Sequence, residues 1–194
     1  MYGKEVCQGE VTKLLSVDLK GMGFDLHKTM ISGPNLAFGK PTFQMDTYPG
    51  GESRKAVDGN KATDFAAGSC TRTNMKLKDK DNMNWWAVDL KKRYTINKVT
   101  LFNRGDCCGQ RLANFDIVVV DTRPVPNLTL RYLKNQICAH QKGAVRQGKV
   151  GTYTCEKLVK GRYVAVVQAR TEYLTLCEVE VFGTAESEYF ESLC

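Results

Sequence analysis

Trp85-Trp86-Ala87-Val88-Asp89-Leu90 is the stretch from which the fold is read. In an extended chain Trp86, Val88 and Leu90 fall on one side and Ala87 and Asp89 on the other, the two-residue period of a strand with one packed and one solvent-facing side. Residues 98–103, 115–120, 162–168 and 176–182 share its enrichment in β-branched and aromatic types. Short apolar bursts alternate with Gly, Asn, Asp and Pro clusters, and no convincing ten-residue helical pattern stands between them. This predicts an all-β sandwich or jelly roll, with a barrel as the remaining option.

Outward from that core the texture changes at Pro34. Residues 1–33 carry a short apolar stretch (Leu14, Leu15, Val17, Leu19) and glycines at 21 and 23, and are expected to form an N-terminal arm or linker that docks or oligomerises through Cys7. Residues 34–183 are the expected domain and 184–194 a C-terminal tail. A chain of 194 residues, 42% hydrophobic, suits one sizeable core. The N-terminus lacks the apolar stretch of a signal peptide, so such a segment is expected to have been removed or the chain to be excerpted from a longer one.

The charge of +7, from 28 basic and 21 acidic residues, biases the surface towards anionic partners. The basic residues are spread along the chain rather than gathered on a recognition helix, which argues against nucleic acid. No run of eighteen apolar residues exists to insert in a membrane. Eight cysteines need an explanation. There is no Cys-x-x-Cys pair, and His27 and His140 stand alone, so zinc is a poor account and disulfides in a secreted, extracellular protein a better one. The sequon Asn127-Leu128-Thr129 fits that route as a glycosylation site.

Asn103-Arg104-Gly105-Asp106-Cys107-Cys108-Gly109-Gln110-Arg111 follows a predicted strand. Its adjacent cysteines have three open fates: distant partners, free thiols, or a bond to each other across a strained ring. Arg104 and Arg111 suit polyol binding, because guanidinium donors in a fixed fork grip hydroxyls and ring oxygens, and Asp106 can hold Arg104 in one rotamer. No Ser/His/Asp or Cys/His constellation can be assembled, so no enzyme is expected.

Arg104 to Arg111 resembles the sugar-binding turn of the F-type lectins, and the likeness runs on in order. It includes Asn35-Leu36-Ala37-Phe38-Gly39-Lys40-Pro41-Thr42, Ala56-Val57-Asp58-Gly59-Asn60, Gly68-Ser69-Cys70-Thr71, Trp85 to Leu90, Gly161-Arg162-Tyr163-Val164 and Leu176-Cys177-Glu178-Val179-Glu180-Val181. The resemblance implies an eight-stranded, discoidin-like jelly roll with a shallow fucose site in loops at one end. It implies that linked Cys107 and Cys108 stack on the sugar, that Arg104 and Arg111 bond it, and that Phe65 receives its methyl group. Where the family has a histidine after Ser-Cys-Thr this chain has Arg72, which only donates and adds a permanent charge. The following loop is longer than usual and carries Lys76, Lys78 and Lys80, so specificity is expected to shift towards fucosylated or acidic glycans.

The resemblance also implies the pairs Cys70–Cys177, Cys107–Cys108 and Cys138–Cys155, leaving Cys7 and Cys194 to join each other or neighbouring chains. It implies a structural calcium ion held by Asp58, Asn60, Ser69 and Glu178 with carbonyls of Lys55 and Cys177, a hard cation among oxygens. Assembly into homo-oligomers through the arms is a further expectation. The competing reading is a non-catalytic extracellular protein- or matrix-interaction module whose sugar pocket is degenerate.

Overall fold

In the computed structural model the stretch around Trp86 belongs to a 19-residue strand, β2 (Asn84–Phe102). The structure describes residues 33–74, 83–124, 136–168 and 172–186. The expected roles of Cys7, Cys194, Asn127, Lys76, Lys78 and Lys80 lie outside the described residues. The other strands are β1 (Thr42–Gln44), β3 (Phe115–Val120), β4 (Ile137–Gln141), β5 (Val150–Gln168) and β6 (Glu178–Ala185). They form one antiparallel sheet in the order β1-β2-β5-β3-β4, with β6 on the second half of β2.

The sequence predicts separate strands at 85–90 and 98–103; the structure joins them into β2, and 162–168 extends back to Val150 as β5. Both long strands bend where their register slips. Leu90 to Arg93 of β2 face only Arg162, and further along Asn97 faces the four residues from Cys155 to Leu158. Such insertions kink a strand and raise its twist. The inward phase of β2 changes with the second slip: Trp86, Val88, Leu90 and Ile96 point in, then Val99 and Leu101. Each long strand thus serves as two, and the expected eight-stranded jelly roll is built from six elements. The last strand begins at Glu178 rather than Leu176, because Leu176 bonds Thr71 instead (Thr71 N to Leu176 O 2.7 Å).

The folded sheet closes on one core in which Trp86, Phe115, Ile117, Val166, Leu176 and Val181 are buried. One expectation is corrected here. Ala87 and Asp89 do not face solvent: both are buried, Ala87 in a second apolar cluster with Trp85, Val118, Ala165 and Val167. Asp89 tolerates burial because Arg162 grips it from Nε (2.7 Å) and Nη2 (2.8 Å) and the Lys91 N–H donates to it at 2.8 Å. Lys91 lies at the bulge with φ 72°.

Three disulfides occur among the described residues: Cys70–Cys177, Cys138–Cys155 and Cys107–Cys108. They are the pairs the resemblance implies. Cys70–Cys177 spans 107 positions, and in the chain-entropy picture such a link stabilises by about 4–5 kcal/mol. Gly33–Glu186 groups as one compact unit.

Candidate functional site

The site grows from the turn that follows β2. Asn103 is buried, and its Nδ2 donates to the carbonyls of Gly109 (2.9 Å), Val145 (2.9 Å) and Arg146 (3.2 Å), folding the turn back on the 145–149 loop. Gln147 clamps it from the other side, donating to Gly105 O at 2.9 Å while the Gly109 N–H donates to its Oε1 at 3.4 Å. Only glycine fits at 105, since a Cβ there would stand 2.5 Å from Thr63 Oγ1 and 3.2 Å from Gly148 Cα. Linked Cys107 and Cys108 cap the turn, Cys108 in the left-handed region at φ 61°, before a short 3-10 turn, Gly109–Arg111. A non-glycine residue there carries backbone strain, which the surrounding bonds over-determine.

Three arginines meet beside this turn on a relay of aromatic rings. Arg104 is nearly buried, forked onto Asp106 at 2.8 Å and 2.6 Å, and its guanidinium lies 4.7 Å from the Phe65 ring centre. Arg72 lies 5.7 Å from that ring, 3.9 Å from Tyr48 and 4.5 Å from Tyr173. Arg111 lies 5.4 Å from Tyr173, with Nε 3.5 Å from Glu172. Phe65 is thereby shared by Arg104 and Arg72, and Tyr173 by Arg72 and Arg111. Ring faces carry negative quadrupolar charge and stabilise stacked cations by about 0.5–2 kcal/mol each. That attraction, with Asp106 and Glu172, offsets the mutual repulsion of three guanidinium groups.

Asp106 is held far below the usual carboxylate range, first by Arg104 and then by the Phe65 N–H at 3.1 Å. It stays ionised and keeps Arg104 in one rotamer. The backbone of Arg72 is fixed equally tightly. Its N–H donates to Gly51 O (2.9 Å) and its carbonyl accepts from Tyr48 N–H (3.0 Å), with Gly51 so close that a Cβ would stand 2.6 Å from Arg72 N.

The structure brings Arg72, Arg104, Arg111, Asp106 and Phe65 together, with Cys107 and Cys108 on the same turn. The sequence reading omits Tyr48, Tyr173 and Glu172, which face the arginines, and Asn103 and Gln147, which hold the turn. Tyr48 and Tyr173 stand in loops without a chemical motif, so only their proximity to Arg72 marks them.

Of the expected metal ligands, Glu178 opens β6 directly after Cys177 and lies beside the Asp58–Gly59 turn. Glu178 is 1% exposed, its Oε1 accepts from Gly59 N–H at 3.3 Å, and its Oε2 has no partner. Burial, reinforced by the Asp58 carboxylate, pushes it up to about 7. Asp58 Oδ1 accepts from Asn60 N–H (2.9 Å) and Asn60 Oδ1 from Ala62 N–H (3.1 Å). The Ser69 hydroxyl is engaged with Asp64, and Lys55 Nζ donates to Gly50 O, leaving the Lys55 carbonyl as its only oxygen. Among the described residues no three His, Cys, Asp or Glu side chains converge on a metal position. A cation here would therefore draw Asp58 and Glu178 as its charged ligands and the rest from neutral oxygens. The unpartnered Glu178 oxygen fits that demand, because a buried carboxylate oxygen without a donor is costly unless a cation meets it.

Comparison with known proteins agrees with this architecture. Residues 55–166 match the NedA-like, galactose-binding domain family. Fucolectin-1 of Anguilla japonica is 40% identical over 126 residues, 65% of each chain, so the matched stretch spans about two thirds of that relative's length. The crystal structure of an F-lectin (fucolectin) from Morone saxatilis (striped bass) serum superposes with a TM-score of 0.66 at 33% identity, covering 78% of this chain and 49% of that one. A Streptococcus pneumoniae fucose binding module gives 0.60 at 32% identity, covering 77% and 98%. The chain belongs to the F-type lectin (fucolectin) family of discoidin-like domains.

Proposed function

We propose that this protein is an extracellular, calcium-stabilised lectin, not an enzyme, that binds fucosylated or acidic glycans. The observation that carries the reading is the relay Arg104, Phe65, Arg72, Tyr173, Arg111 beside the linked Cys107 and Cys108. Guanidinium groups held in one orientation donate to sugar hydroxyls without first losing rotamer freedom, and that pre-ordering raises affinity. Arg104 is the best ordered, since Asp106 occupies Nε and Nη2 and leaves Nη1 for a ligand. The bonded sulfurs offer an apolar face for the sugar's C–H surface, and Phe65 an apolar wall for a methyl group. The fucose binding module among the structural neighbours supports the choice of sugar.

Asp58, Asn60, Ser69 and Glu178, with the carbonyls of Lys55 and Cys177, would hold the calcium ion. Bound there, it would supply charge neutralisation for the buried Glu178 and the exposed Asp58 and brace the 58–69 loop that carries Phe65. Disulfides, together with the Asn127 sequon, support secretion. Clustering of sites through arms bearing Cys7 and Cys194 would add avidity.

The test is retention on fucose-agarose with and without a chelator. Release by free fucose, and weaker retention with a lower Tm after chelation, are the expected results. Flow-through of folded protein in the presence of calcium would refute the lectin reading and favour a protein- or matrix-interaction module.

A further inference from the structure

Arg72 differs from its two neighbours in how its charge is met. Arg104 is forked onto Asp106, and Arg111 has Glu172 beside it. No described residue forms an ion pair with Arg72 or accepts a hydrogen bond from its guanidinium, and its Nε is buried without a partner. Instead Tyr48 and Tyr173 approach its guanidinium at 3.9 Å and 4.5 Å. Aromatic stacking engages the faces of the group and leaves its hydrogen-bonding to the edge, where N–H donors lie in one plane. That edge matches two oxygens of one anionic group, and such charge-assisted pairs are the strong ones. Summed over these side chains, three arginines against Asp106 and Glu172 leave one positive charge, and it belongs to Arg72.

We propose that Arg72 makes this site select glycans bearing a single anionic substituent, a sulfate ester or a carboxylate, next to the bound fucose. The proposal rests on the fucosylated-glycan reading above and adds the charge of the ligand to it. A neutral sugar would leave a half-buried guanidinium edge with only hydroxyls to meet it. An anion at the Nη edge meets a charge that no described residue pairs.

The experiment titrates the full chain calorimetrically with a neutral fucosylated oligosaccharide, its sulfated counterpart and its sialylated counterpart, each at low and high salt. The wild type should bind at least one anionic ligand about ten- to a hundredfold more tightly than the neutral one, and the preference should shrink as salt rises. The sulfated and sialylated arms tell the two anions apart. In Arg72→Gln and Arg72→His the ratio of anionic to neutral affinity should fall towards one, whatever happens to the neutral affinity itself. Equal wild-type affinity for all three ligands overturns the proposal and leaves the lectin reading standing. So does a preference that persists in both variants, since another cation then reads the anion. If no ligand binds, the lectin reading fails and takes this proposal with it. Because the wild-type comparison needs no variant, it decides the matter even where a substitution prevents folding.

Discussion

Two arginine–aspartate forks of nearly equal geometry serve opposite ends in this molecule. Arg104 and Asp106 meet at 2.6–2.8 Å just past β2, and Arg162 and Asp89 at 2.7–2.8 Å across the bulge between β2 and β5. In the first the arginine is the enclosed partner, 9% exposed, and the aspartate is 20% exposed; in the second Arg162 is 41% exposed and Asp89 only 5%. Whichever partner is enclosed shows what the fork is for. At the bulge the carboxylate is the working group: it caps the Lys91 N–H and holds a kink, and Arg162 neutralises it from the surface. At the loop end the guanidinium is the working group, stacked on Phe65 and aimed by Asp106.

The sharpest way to break this comparison is to remove one aspartate from each fork. Asp106→Ala frees Arg104 to explore its rotamers and removes the acceptor of the Phe65 N–H, so glycan affinity should fall about ten- to a hundredfold in calorimetric titration, equivalent to about 1.5–3 kcal/mol. Asp89→Asn should leave glycan affinity alone and lower stability. Its carboxyl is pushed down to about 2, chiefly by the Arg162 hydrogen bonds. With Arg162 41% exposed, solvent screening discounts the measurable loss to about 1–2 kcal/mol. That is a fall of about 2–8 °C in Tm, read by calorimetry. A loss of sugar binding in Asp89→Asn, matching that of Asp106→Ala, would erase the distinction.

How much of this was legible before the structure follows from the range of each interaction. Trp86, Val88 and Leu90 announce the core face because strand periodicity is local. Ala87 and Asp89 mislead, because their burial depends on Val118, Ala165, Val167 and Arg162 from other strands, which no local pattern shows. Arg104 with Asp106 is readable because two positions separate them. Tyr48 and Tyr173 are not: a half-exposed tyrosine in a loop has no periodicity and no motif, and it acquires a role only when the fold sets it against Arg72. The pairs Cys70–Cys177 and Cys138–Cys155 become readable through family resemblance, since spacing alone leaves connectivity open.

Acid titration sharpens the comparison further. Both aspartates have folded-state values below their unfolded ones, so the unfolded chain binds protons first as pH falls, and stability drops with it. The Asp89 contribution is fully present above about pH 4 and is lost as pH falls through about 2. Denaturant midpoints measured between pH 5 and pH 2 should therefore fall less steeply in Asp89→Asn than in the wild type.

The smallest expected effect comes from Arg162→Lys. Lysine keeps the charge beside Asp89 but replaces two parallel donors in a fixed plane with a single rotatable ammonium, so the carboxylate stays neutralised while half the fork is lost. Tm should fall by less than in Asp89→Asn, and glycan affinity should not move. Arg104→Lys provides the contrast, because there the planar fork is what orders the group that meets the ligand and lies against Phe65. If lysine serves as well as arginine at 104, the enclosed guanidinium acts only as a counterion, and the two forks do the same work.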